Sequence, residues 1–290
     1  MNGAADMDDI RIADGDLEIS VSQQGGAIRR AAFRGRSFMV PCGGPDGGMA
    51  SFPLVPFGNR VDYNVMTVQG RDYCFQPNTG DPLYLHGDGW LGLWNVETHN
   101  GCSVTLSYTH EAGRVSPYSY SASQGLSVSG GRLENWLSVA NRGDTSMPFG
   151  LGFHPFFPLT ASTTLLAPAS RFWTERQGHL PDAPVTIPDE LDFSTPRGVP
   201  DRWINNAFEG WSGAASIRWP ELDLDAEIET DGIFGTYMIY TPGGADFFCF
   251  EPMSHLPNGH HMRDFGGLTL MAPGESLAGR MTISLSAAGI

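Results

Sequence analysis

The chain has 290 residues, 41% of them hydrophobic and 17% charged, so it can bury a sizeable core and is not a disordered polypeptide. Its 17 basic and 32 acidic residues give a net charge of −15, which argues against nucleic acid and anionic membranes as partners and disfavours phosphorylated substrates. With 37 glycines and 21 prolines, the sequence is cut into short segments, as a turn-rich β protein requires.

The start, Met1 to Asp9, has no basic stretch leading into an apolar run, which predicts no secretory leader and a cytoplasmic location. Residues 1–16 read as a short leader or edge segment of a single domain spanning 1–290. Leu17 to Ser22 alternates apolar and polar residues, the pattern of a half-buried strand, and Arg29, Arg30, Arg34 and Arg36 read as the solvated face of an early hairpin. The same alternation recurs at Ser103–Tyr108, Leu133–Val139, Leu222–Ile228 and Met281–Leu285, with turn signals such as Ser129-Gly130-Gly131 and Pro242-Gly243-Gly244 between them. Residues 167–200, rich in proline, read as an irregular excursion over one end of the molecule. No window has the period or the caps of a long amphipathic helix, and no run is apolar for the length of a membrane span. A barrel or small sandwich would use fewer strands, so the predicted fold is all-β, a large antiparallel β-sandwich of two facing sheets.

Polar groups set into apolar sequence mark the candidate chemistry. Asn59-Arg60 follows Phe52-Pro53-Leu54-Val55-Pro56-Phe57-Gly58, whose prolines exclude a regular central strand, and the Arg60 fork suits hydroxyls or a carboxylate. Pairing with a structural Asp is the commoner fate of such an arginine. In Leu85-His86-Gly87-Asp88-Gly89-Trp90, the glycines permit close backbone approach and Trp90 or Trp94 could offer an aromatic face. His154 lies in Gly152-Phe153-His154-Pro155-Phe156-Phe157, where flanking aromatics would make a dry wall. Glu251 ends the run Phe247-Phe248-Cys249-Phe250 and either takes hydrogen bonds from the amides around Met253-Ser254-His255 or faces a cavity as a base. An imidazole or carboxylate in such surroundings is costly to charge, which prepares a general acid and base to work near neutral pH.

Other chemistries find less support. The four cysteines are scattered with no paired ligand spacing, and His86, His154 and Glu251 lie on separate segments without a metal-binding motif, so no metal is expected. His260-His261 reads as an exposed loop. Neither a nucleophile elbow nor a phosphate or dinucleotide fingerprint occurs, so no cofactor is expected. One acid and one base, without nucleophile or cofactor, point to a simple proton-shuttling reaction.

In their order along the chain, Pro53 to Arg60, His86 to Trp90, Gly152 to Phe157 and Glu251 to His255 resemble the landmarks of the aldose 1-epimerases, also called galactose mutarotases. The resemblance runs from Leu17 to the C-terminus and implies a β-sandwich with a free monosaccharide in an open cleft, its α and β anomers interconverted. It implies Glu251 as the base on the anomeric hydroxyl, His154 as the acid at the ring oxygen, and His86 assisting there or holding the sugar. Arg60 would bind hydroxyls, and Asn59, Asp88 and Trp90 would complete the contacts. In Trp203-Ile204-Asn205-Asn206-Ala207-Phe208-Glu209-Gly210-Trp211, Asn205 stands where the family commonly has an Asp that grips hydroxyls, with Asp201 a nearby substitute. A hexose 6-phosphate epimerase and a non-catalytic sugar-binding protein are the alternatives on the same fold.

Overall fold

In a computed structural model of the protein, which describes residues 9–288, strands dominate and the helical segments are short 3-10 turns. A nine-stranded antiparallel sheet runs, in spatial order, through Asn95–His99, Ser103–His110, Tyr120–Ser129, Arg132–Asn141, Ser276–Ser286, Leu224–Thr230, Ala214–Trp219, Thr164–Leu166 and Arg197–Gly198. An eight-stranded sheet faces it, built from Leu180–Val185, Arg171–Arg176, Trp203–Glu209, Thr236–Pro242, Phe247–Met253, Gly152–Phe153 and Pro53–Leu54, with Phe156–Pro158 also paired to Phe247–Met253. An N-terminal meander, Ile10–Asp14, Leu17–Val21, Ile28–Phe33 and Arg36–Met39, completes the main strands. The expected sandwich is therefore present. Among the described residues, no helix is long and apolar enough to cross a membrane.

Period-two patterning explains why the sheets face as they do. Leu133, Leu137 and Val139 from one sheet meet Phe208, Tyr237, Ile239, Phe248 and Phe250 from the other in one buried cluster. Residues of opposite parity on the second sheet, Ala207, Met238, Cys249 and Met253, join a separate cluster with Phe52, Trp90 and Phe156 on its other face. Burying a large apolar side chain is worth about 2 kcal/mol, so the inward Phe248 and Phe250 hold this strand in register. A slip of one residue would drive Glu251 into the core, which strongly specifies the pairing of Glu251 with Met238.

Three expectations are corrected. Residues 167–200 are not simply irregular: Arg171–Arg176 and Leu180–Val185 extend the eight-stranded sheet, and Pro181 and Pro184 are accommodated because Leu180–Val185 is its edge strand. The strand expected from Leu222 begins at Leu224, because Pro220–Leu222 forms a 3-10 turn and Asp223 is left-handed at φ 49°. His260 is buried rather than exposed, its Nε2 3.2 Å from the Tyr118 hydroxyl, while His261 bonds the carbonyls of Asp62 and Val65. The early arginines do form a solvated face: Arg29, Arg34 and Arg36 pair with Asp46, Asp16 and Asp223 at the surface. Ile10–Asp14 is the edge strand of the meander, and residues 1–8 lie outside the described residues.

Candidate active site

A cleft of about 380 Å³ opens over the outer face of the eight-stranded sheet, with His86, His154 and Glu251 among its lining residues. Sheet register places Glu251 there. It shares a face with Cys249, and its cross-strand neighbour Met238 pairs in turn with Ala207, two residues beyond Asn205 on the same face. Gly152–Phe153 pairs between Phe247–Met253 and Pro53–Leu54, delivering His154 beside the carboxylate. The His154 Nε2 lies 3.4 Å from Glu251 Oε1.

The His154 ring is slotted between two phenyl rings, Phe52 at 4.5 Å and Phe156 at 4.8 Å, both nearly parallel to it. This dry slot makes the imidazolium costly, and burial pushes the His154 pKa down to about 3. Burial likewise raises Glu251 to about 8, although the Arg60 charge opposes the rise. Glu251 Oε2 and His154 Nδ1 are buried without a hydrogen-bond partner. Near neutral pH the two groups therefore share a single proton, which rests on the carboxyl. The tandem amides near Ser254 are not its partners; the Ser254 N–H donates to Leu151 instead.

His86 is held by a reciprocal backbone clasp. Both His86 and Asn59 adopt left-handed conformations, φ 60° and 64°, and the His86 N–H donates to the Asn59 carbonyl at 3.0 Å. The Asn59 N–H donates at 3.0 Å to His86 Nδ1. Burial, followed by the neighbouring His154 and Arg60, holds His86 far below its ordinary value, so it is neutral with Nδ1 as acceptor. Its remaining proton is on Nε2, which makes His86 a hydrogen-bond donor. The ring stands edge-on to His154 at 5.1 Å.

Arg60 lines the cleft and also has the structural Asp partner that its residue type favours: Nε and Nη2 both reach Asp81 Oδ2, at 2.9 and 2.8 Å. Asn59 lines the cleft with its Oδ1 committed to the Arg60 N–H. Asn205 lines it too, whereas Asp201 is bound to the Gly244 N–H and is no substitute for the missing acid.

Asp88 and Trp90 are placed away from the lining, contrary to expectation. The Asp88 carboxylate accepts from the Tyr84 and Ser116 hydroxyls, lies 3.4 Å from His110 Nε2, and faces a different depression. Trp90 is buried against Phe52 at 5.1 Å and His86 at 5.7 Å, and its indole N–H donates to the Leu85 carbonyl. These residues brace the His86 loop rather than reach into the cleft. Sequence reasoning missed Asp81, Tyr240 and Trp203. Trp203 was signalled, since it stands two residues before Asn205 and shares its face; Asp81 and Tyr240 carried no comparable mark.

The ligand atoms of His154, Cys249 and Glu251 lie within 4.8 Å of one another, a geometry that could hold a soft cation. Burial pushes the Cys249 thiol well up, toward the protonated form that does not ligate. A larger depression of about 850 Å³, near His255 and Arg263, lacks an acid–imidazole pair of this kind.

The family described as aldose 1-epimerase matches residues 8–284. The uncharacterized protein YphB of Escherichia coli (strain K12) is 40% identical over 285 residues, covering 94% of this chain and 97% of its own. The crystal structure of an Escherichia coli K12 protein, provisionally named an aldose 1-epimerase, superposes with a TM-score of 0.91 at 39% identity, covering 97% of this chain and 99% of that one. At 15% identity, the galactose 1-epimerase of Lactobacillus acidophilus NCFM shares the fold, with a TM-score of 0.79 and coverage of 99% and 98%. The chain belongs to the aldose 1-epimerase family.

Proposed function

We propose that the protein is a mutarotase that interconverts the α and β anomers of a free aldose through ring opening and closure. The observation that carries this reading is the Glu251–His154 pair, buried together at the cleft with His154 Nε2 3.4 Å from Glu251 Oε1, where burial favours the neutral form of each. Sugar hydroxyls donating to Glu251 would favour its carboxylate and move the shared proton to His154. Glu251 then takes the anomeric hydroxyl proton while the bond from C1 to the ring oxygen breaks, and His154 gives its proton to that oxygen. The aldehyde rotates about C1–C2. Closure on the other face reverses both transfers and restores the pair. The His86 Nε2–H supports the ring oxygen or an adjacent hydroxyl. Only protons are exchanged, neither electrons nor carried groups, so the reaction as written calls for no cofactor.

A neutral substrate fits the charge of the cleft better than a phosphorylated one. Arg60 is the guanidinium among its lining residues, and Asp81 already meets that charge. Polarimetry of freshly dissolved α-glucose, α-galactose and pentoses, with and without protein, tests the reading. Acceleration beyond buffer with a neutral aldose is expected. Acceleration confined to hexose 6-phosphates would replace the substrate class, and binding without acceleration would make the protein a sugar binder.

A further inference from the structure

One wall of the cleft is organised by a carboxylate that does not line it. Glu175, on strand Arg171–Arg176, lies opposite three lining residues: His179, Trp203 and Asn205. Its Oε1 accepts from His179 Nδ1 at 2.6 Å and from Asn205 Nδ2 at 2.9 Å, and its Oε2 accepts from the Trp203 indole N–H at 2.8 Å. Burial alone would raise its carboxyl, but these bonds outweigh that and hold it below the ordinary value, so it is ionised.

Each bond has a consequence inside the cleft. A carboxylate can only accept, so the Asn205 amide must turn its Nδ2 toward Glu175, leaving Oδ1 as the acceptor available to a ligand. Trp203 is 41% exposed, yet its N–H is anchored and its ring is flanked by His179 at 5.0 Å and by Tyr240, edge-on, at 5.7 Å. An indole fixed in this way is a preorganised apolar platform, which lowers the ordering cost of binding.

We infer that Glu175 is a positioning residue that shapes this wall for a neutral sugar, turning the Asn205 carbonyl oxygen toward a ring hydroxyl and holding Trp203 against the apolar face of the ring. The substrate class rests on the mutarotase reading above; the three contacts to Glu175 do not. Asn205 thus supplies an acceptor in one fixed orientation, with a negative charge behind it instead of upon it.

The test compares wild type with Glu175→Ala and Glu175→Gln in mutarotation kinetics. Losing the anchor should raise KM about tenfold in Glu175→Ala with kcat within about twofold of wild type. Glu175→Gln, which keeps one acceptor oxygen, should fall between. Unchanged KM in Glu175→Ala, or a fall in kcat alone, would overturn the inference. An independent readout follows the Trp203 indole N–H in ¹⁵N-labelled protein, assigned with Trp203→Phe, during titration with glucose and galactose. A sugar-induced shift in wild type that needs about tenfold more sugar in Glu175→Ala is expected. No shift in wild type, or the same titration midpoint in both, would overturn the inference. If wild type fails to accelerate mutarotation of any aldose, the mutarotase reading falls, and the indole titration alone decides the role of Glu175.

Discussion

His154 and Glu251 illustrate how a fold drives ordinary side chains toward their neutral forms by withholding water. The same burial that would suit them to the proposed proton transfer is a burden on stability. The Glu251 carboxyl, raised to about 8, stays protonated in the folded chain long after its unfolded counterpart has ionised. The unfolded state therefore binds fewer protons between about pH 4.5 and 8, and the stability contributed here is lost as pH rises through that window. Glu251→Gln should remove this loss and stabilise the protein above pH 8 on the order of 3 kcal/mol, as read from urea unfolding at pH 6 and pH 8.5. An unchanged pH dependence would mean that Glu251 is not the buried neutral acid described. Activity has a related signature. The pair holds one proton only between the two values, so kcat/KM should decline as pH rises through about 8, when Glu251 is left bare. The acid limb lies near 3, where unfolding intervenes first. A rate that climbs steadily through pH 9 would contradict the shared proton.

At the scale of elements, the site depends on strands that set parity and on one tight turn that sets direction. The strands were legible. Phe247 to Glu251 reads as an apolar run with a carboxylate at its end, and pairing at Glu251–Met238 puts that carboxylate outside the core. The turn was legible only in part. His86, Asp88 and Trp90 sit close in sequence, yet Gly87 at φ 69° and the 3-10 turn Gly89–Leu91 send them in different directions, so only His86 lines the cleft. Alternation cannot be extrapolated through left-handed backbone. The contact of Glu175 with Asn205 spans 30 residues of sequence and comes from two strands of the same sheet, so no local pattern could announce it. Gly87 is where the turn is most sensitive. A Cβ there would stand 2.4 Å from the Val55 carbonyl oxygen and 2.5 Å from Pro56 Cδ, in a conformation that L side chains already resist. Gly87→Ala should destabilise the protein by about 2 kcal/mol or more and lower activity by displacing His86. Wild-type melting temperature and rate in that variant would show the turn to be tolerant.

Across the whole molecule, two sheets close over one core while the candidate site occupies the outer face of one of them, so much of the structure serves as a rigid back for a few polar groups. It also hides histidines. His86, His154, His255 and His260 are all buried, and burial lowers each of them, His154 to about 3 and His255 to about 4. Below about pH 6.5 the unfolded chain takes up protons that these rings refuse, so their contribution is complete above 6.5 and is lost as pH falls. The raised carboxyls of Glu251, Asp88 and Glu227 act in the opposite sense, but four imidazoles outweigh three acids. The melting temperature should fall steadily from pH 6.5 to 4.5, and calorimetry showing a flat profile there would mean the histidines are not buried neutral.

The central claim is that Glu251 and His154 pass protons across a sugar ring, and the rate of anomer exchange in Glu251→Gln tests it most directly. The amide in that variant would keep the shape of the site and lose the proton relay. Followed by exchange between anomeric proton resonances, kcat should drop about 10²- to 10⁴-fold while circular dichroism and melting show an intact, somewhat more stable fold. A folded Glu251→Gln protein turning over within a few-fold of wild type would contradict the account.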